Sequence, residues 1–165
     1  MPETLMTFAK ARTERSYRKL WEQIESLTAE EALQGRQENH WPGHKWGIGQ
    51  DGSIVGLVYH TAAWKQMTLP VLKPGGKSIL QEEFDVSAYP QPTDWEGVRA
   101  WFQEVGVAFN EAVNQLQEAD WDRVMDWEVE TFTVGRIVVE LYEHDIQHTA
   151  QIEYLRQLYL TLTLL

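Results

Sequence analysis

Apolar side chains recur at steps of three and four through four long stretches of this chain, and no stretch shows a convincing two-residue alternation. At about 100° per residue, such steps gather side chains on one stripe of a helix, whereas a half-buried strand needs strict alternation. The expected fold class is therefore all-α. The clearest stretch is about Trp95 to Ala119, where Val98, Trp101, Phe102, Val105, Phe109, Ala112, Val113 and Leu116 share a face and Thr93 or Asp94 stands at the cap position. The first stretch runs from about Glu3 to Leu27, with Arg12 to Arg15 a polar interruption expected at an exposed or irregular place. The second runs from about Ser53 to Val71, capped by Asp51 or Ser53, with Ile54, Leu57, Thr61, Trp64, Thr68 and Val71 on one face. The last begins after a cap at Thr131 or Thr133 and reaches about Leu160 through Val134, Ile137, Val138, Leu141, Ile152, Leu155 and Tyr159.

Three connections separate these stretches. Gly35 to Gly52 is rich in glycine, with Pro42 among them, and Lys73-Pro74-Gly75-Gly76 ends the second helix before a long connection through Phe84, Tyr89, Pro90 and Pro92. Asp120 to Thr131 is expected as a connection too, with Trp121 and Trp127 folded onto the helices. The architecture expected from this order is an up-down-up-down four-helix bundle with long connections after helices one and two. Such a bundle can use short turns, so long loops point to function or to cover over a site.

A chain of 165 residues fits one domain, 1–165, with length enough for a real core. The formal net charge of −11 argues against nonspecific nucleic-acid binding and against docking on an anionic membrane. With no basic start followed by an apolar run in Met1 to Lys10, and no apolar stretch near the ~20 residues a bilayer requires, a soluble cytoplasmic protein is expected. There are no cysteines, so disulfides, thiolate metal ligands and a cysteine nucleophile are excluded.

Against that background, His144 and His148 stand out. They lie one turn apart on the apolar stripe of the last helix, where Leu or Ile would serve packing alone. Two imidazoles at i and i+4 can reach one cation, and buried polar groups without partners cost free energy. His60, three residues after Leu57 and four before Trp64, also points inward. Three imidazoles suit Zn, Ni, Fe or Mn and leave positions open for water or a small-molecule substrate. Glu140, one turn before His144, is the candidate catalytic base or orienting partner, and Gln151, three residues after His148, a second orienting partner. Asp145 points further from that edge. His40 and His44 share the i, i+4 spacing, but Pro42 and Gly43 break any helix between them, so they belong to a loop with Trp41 and Trp46, either packed for stability or touching the site mouth. Gly47-Ile48-Gly49 lacks the strand and third glycine of a dinucleotide fingerprint.

Two segments resemble the DinB/YfiT-like superfamily of four-helix metalloenzymes. Ser53-Ile54-Val55-Gly56-Leu57-Val58-Tyr59-His60 is similar to the start of that family's second helix, ending in its first ligand histidine. His144-Asp145-Ile146-Gln147-His148-Thr149-Ala150-Gln151-Ile152 is similar to its closing His-x-x-x-His-x-x-Gln-Ile signature. The resemblance implies a four-helix bundle, a divalent metal on His60, His144 and His148, and a homodimer. Family members include bacillithiol S-transferases and mycothiol-dependent maleylpyruvate isomerases. The activity implied is therefore low-molecular-weight-thiol S-transfer, with a metal-dependent hydrolase or a non-enzymatic metal-stabilised binding protein as alternatives.

Overall fold

The computed structural model describes residues 4–36, 51–76, 89–91, 93–127 and 130–162. Four long helices dominate it: α1 (Leu5–Ile24), α3 (Ile54–Leu72), α4 (Trp95–Gln115) and α6 (Val134–Leu162). A short α2 (Ala29–Leu33) follows α1, and a short α5 (Glu118–Trp121) follows α4. The fold is thus mostly helical, as the periodicity predicts. None of the described helices is long and apolar enough to cross a membrane.

Local chemistry sets the helix ends. Thr4, Ser53 and Asp94 accept hydrogen bonds from the backbone N–H groups of Thr7, Gly56 and Gly97, and Thr133 Oγ1 accepts from Arg136 N at 3.1 Å. Asp51 fixes the entry to α3 by accepting from Ser53 N (3.1 Å) and Arg36 Nε (2.9 Å). At the far end of α3, Arg123 donates to the carbonyls of Val71, Lys73 and Gly76, at 2.7, 3.0 and 3.1 Å, serving acceptors that the helix leaves without partners.

Two expectations about local structure are corrected. The polar run Arg12 to Arg15 is exposed at Glu14 and Arg15, as expected, but it does not interrupt α1. Thr13 and Ser16 lie on its buried side, and their hydroxyls donate back to Ala9 O (2.9 Å) and Thr13 O (3.0 Å). A small hydroxyl satisfied by its own helix can stand in a core stripe that hydropathy alone breaks. The stretch expected as a plain connection, Asp120 to Thr131, contains the end of α5 and an antiparallel hairpin, β1 (Val124–Trp127) with β2 (Glu130–Thr133), in register Val124↔Thr133. Strands of four residues are too short for alternation to register as a pattern. Trp121 is buried as expected; a Cβ at Gly135 would overlap its indole, so the absence of a side chain there lets the ring sit on α6. His40, His44, Trp41 and Trp46 lie outside the described residues.

The helix directions also correct the up-down-up-down expectation. The long helices form a ring of neighbours, α1 to α6 to α3 to α4 and back to α1. The start of α1 meets the end of α4, where Lys10 Nζ donates to Leu116 O at 2.7 Å, and its end meets the start of α4, where Arg99 donates to Glu25 O. These two are antiparallel. Ser16 faces Asp145 and Gln23 faces Arg156, so α1 and α6 run parallel. His60 lies opposite His148 and His144, and Thr68 opposite Glu140, so α3 and α6 are antiparallel. It follows that α3 and α4 run parallel, and the order is up-down-down-up. Apolar stripes carry no information on direction. The segment 73–94 is long enough to cover the about 28 Å length of the 19-residue α3, which a parallel successor requires.

The core forms two clusters. One joins Leu20, Ile24, Ile54, Val58, Trp95, Phe102 and Ile152; the other joins Ala9, Val71, Phe109, Val113, Val134, Val138 and Leu141. Along α6, between Leu141 of the second and Ile152 of the first, come His144, Asp145 and His148.

Candidate metal centre

His60 occupies the middle of α3, and His144 and His148 occupy successive turns of α6 across from it. Helix α3 is buried continuously from Ile54 to Ala63, so its histidine has nowhere to go but inward. His60 is 3 % exposed and His148 4 %. Their Nε2 atoms converge with that of His144: His144 Nε2 is 2.9 Å from His60 Nε2 and 3.0 Å from His148 Nε2. The three potential ligand nitrogens all lie within 4.8 Å of one another.

Proton bookkeeping shows what this cluster fits. His148 Nδ1–H donates to Gln151 Oε1 at 2.7 Å, which leaves a bare lone pair on Nε2. His144 has no such partner: its Nδ1 is buried and meets no hydrogen-bonding group among the described residues. If His144 carries its proton on Nε2, Nδ1 is left as an orphan acceptor, and if on Nδ1, as an orphan donor. A cation at the convergence would use the Nε2 lone pairs together. Two imidazoles bound to one ion at about 2.0–2.1 Å have nitrogens about 2.8–3.4 Å apart for cis ligands between octahedral and tetrahedral angles. The observed separations match the lower end. The donor set therefore fits a divalent first-row ion, and these three side chains could hold one. The Gln151 contact is the orienting hydrogen bond expected of a ligand histidine.

Burial and neighbouring charges keep His144 and His148 neutral. Burial, then the proximity of His148, His60 and Lys65, holds His144 down to about 2. Burial also lowers His148, offset in part by Gln151 and Asp145. Neutral imidazole is the form that binds metal. In the metal-free protein the same shifts act on stability. From the unfolded value of 6.5 downward, the unfolded chain binds a proton at His144 that the folded chain refuses, so stability falls as pH falls. Between pH 7 and 5 the wild-type apoprotein should lose about 2 kcal/mol more than His144→Leu, read from urea unfolding at each pH. Equal losses would show that His144 titrates freely.

A cavity of about 370 Å³ opens beside His144, lined also by Trp64, Thr68, Phe132, Ile137, Glu140 and Leu141. Trp64 stands edge-on to both His60 and His144, with ring centroids 6.2 and 6.0 Å away. Phe132 comes from the hairpin. Glu140 is half-exposed at the rim, where its Oε1 accepts from Arg136 Nε at 2.8 Å, and the Arg136 guanidinium lies 4.0 Å from the Phe132 ring centre. Glu140 thus reaches the cavity, but among the described residues its hydrogen bond goes to Arg136 and not to a histidine.

Sequence reasoning ranked Asp145 below Glu140, and the structure reverses their burial. Asp145 is 1 % exposed and ion-paired with Lys65, itself 1 % exposed. Lys65 was missed. Its signal was a lone cation in the apolar second helix, five residues after His60. Phe132 was missed with the hairpin that carries it.

A comparison with curated proteins finds no match. The sequence model of the DinB superfamily matches residues 12–152, a span that takes in the larger part of α1, the cavity wall and all three histidines. With the helical fold and the histidine cluster agreeing, the chain belongs to the DinB superfamily.

Proposed function

We propose that His60, His144 and His148 hold one divalent first-row ion, and that the chain is a metal-dependent enzyme transferring a low-molecular-weight thiol to an electrophilic small molecule. The observation that carries this reading is the convergence of three Nε2 atoms from two helices, one of them on His144 in the wall of a largely apolar cavity. A divalent ion at that point would favour the deprotonated, nucleophilic form of an incoming thiol. The chain has no cysteine, so the sulfur must arrive with a cosubstrate.

The remaining chemistry belongs to the chain's own side chains. Trp64, Phe132, Ile137 and Leu141 offer apolar walls that accept a hydrocarbon-rich electrophile and exclude water. Thr68 Oγ1 donates to Trp64 O at 2.8 Å, which leaves its oxygen lone pair free to accept from a substrate donor. Glu140 at the rim is positioned to accept the thiol proton, with Arg136 holding its carboxylate. The S–H bond then breaks with its proton on Glu140, a carbon–sulfur bond forms, and the leaving group departs from the electrophile.

The test supplies metal-loaded protein with bacillithiol, mycothiol or coenzyme A and a chlorinated aromatic electrophile, and follows the S-conjugate by mass spectrometry. Conjugate should form above the uncatalysed rate with the wild type and fall to background in His148→Ala, whose helicity is retained. Turnover of esters or amides without any thiol would replace this reading with a metal-dependent hydrolase, in which the same cavity binds the acyl group.

A further inference from the structure

We infer that Lys65 and Asp145 are positioning residues for the histidine cluster: their buried ion pair sets the register of α3 against α6 that brings His60 to His144 and His148. This inference rests on the proposed metal site.

The pair is the point at which all four long helices meet. Lys65 Nζ on α3 contacts Asp145 Oδ1 on α6. Asp145 Oδ2 accepts from Ser16 on α1 at 3.3 Å, and Lys65 Nζ lies 5.6 Å from the centre of the Phe102 ring on α4. Asp145 directly follows His144 and lies three residues before His148, while Lys65 follows His60 by five. Any slide or rotation of α3 on α6 that separates the charges also separates the imidazoles.

Apolar packing alone does not supply that register. From Ile54 to Ala63 every residue of α3 is buried, on all sides of the helix, and most are aliphatic or small. Such a helix gains nearly the same burial at neighbouring rotations and depths. A charge discriminates among them, because only one placement puts an ammonium against its carboxylate while all others leave it buried alone. Buried ion pairs replaced by apolar residues of similar size often leave stability unchanged or raised, so stability alone does not explain this one. Specification of register is the role for which buried polar groups are best attested.

The experiment compares wild type with the double variant Lys65→Met/Asp145→Leu, which keeps the side-chain volumes and removes both charges. Each is loaded with Zn²⁺ or Co²⁺ alone. Affinity is read by competition with a chromophoric chelator, geometry from the visible bands of the Co²⁺ form, and folding from the thermal midpoint of the apoprotein. The double variant should fold with a midpoint at or above wild type, bind both ions about tenfold or more weakly, and show altered Co²⁺ bands. Wild-type affinity and bands in a folded double variant would overturn the inference. If that variant does not fold, Lys65→Met/Asp145→Asn, which keeps a partner for Ser16, is read in the same way. Failure of both to fold would make the pair a requirement of the fold, not of the site, and would equally overturn it. A wild type that takes up no ion would sink the metal site itself, and the inference with it.

Discussion

Asp145→Ala should lower the unfolding free energy by about 3–5 kcal/mol, a large part of the total that holds a domain of this size folded. The loss does not measure the attraction between the two charges. It measures the state of Lys65 once its carboxylate is gone: an ammonium 1 % exposed, with its Nζ facing Phe102 and no other ion-pair partner among the described residues. A buried ammonium left without its counter-charge costs free energy. Ser16 also loses one hydrogen-bond acceptor. Urea unfolding followed by far-ultraviolet circular dichroism gives the number. The paired replacement Lys65→Met/Asp145→Leu should recover most of it, so the double-mutant cycle has a coupling energy of several kcal/mol. A single variant within about 1 kcal/mol of wild type would mean that water reaches the pair, contrary to its burial.

His60→Ala should remove metal binding while leaving the helices intact. It deletes the sole ligand candidate that α3 contributes and leaves His144 and His148 as a two-nitrogen site on one helix. Loss of a ligand should weaken affinity by more than the roughly 10–100-fold that removal of an orienting partner costs. Metal content of protein dialysed at micromolar free Zn²⁺ should fall from about one ion per chain to near zero. The variant carries its own control. His60 is buried, so its removal leaves a void, and the apoprotein should unfold somewhat earlier than wild type while keeping its helical circular dichroism. An unchanged metal content would place the ion elsewhere and leave His60 as a core residue.

Much of this protein is visible in the order of its residues. The four long helices follow from apolar spacing, their starts from Ser53, Asp94 and Thr133, and the inward direction of His60, His144 and His148 from their phase on those stripes. Gln151 as the partner of His148 follows from helix geometry, since residues three apart are neighbours. These are local relations. A helix determines which of its own residues share a face.

Other features depend on how one helix lies against another. The parallel run of α3 and α4 could not be read from stripes that look the same in either direction, although the long segment 73–94 is what such a crossing needs. The hairpin that delivers Phe132 to the cavity is too short to show a period, and its second strand packs on α6. Glu140 sits on the expected side of α6 and lines the cavity with His144, but Arg136, one turn earlier, takes its carboxylate. The pairing of Lys65 with Asp145 joins residues eighty positions apart, and neither position by itself names the other. Spacing along the chain sets which side chains a helix presents. Only the packing of α3 on α6 decided that three imidazoles would meet at one point, with a buried ion pair beside them.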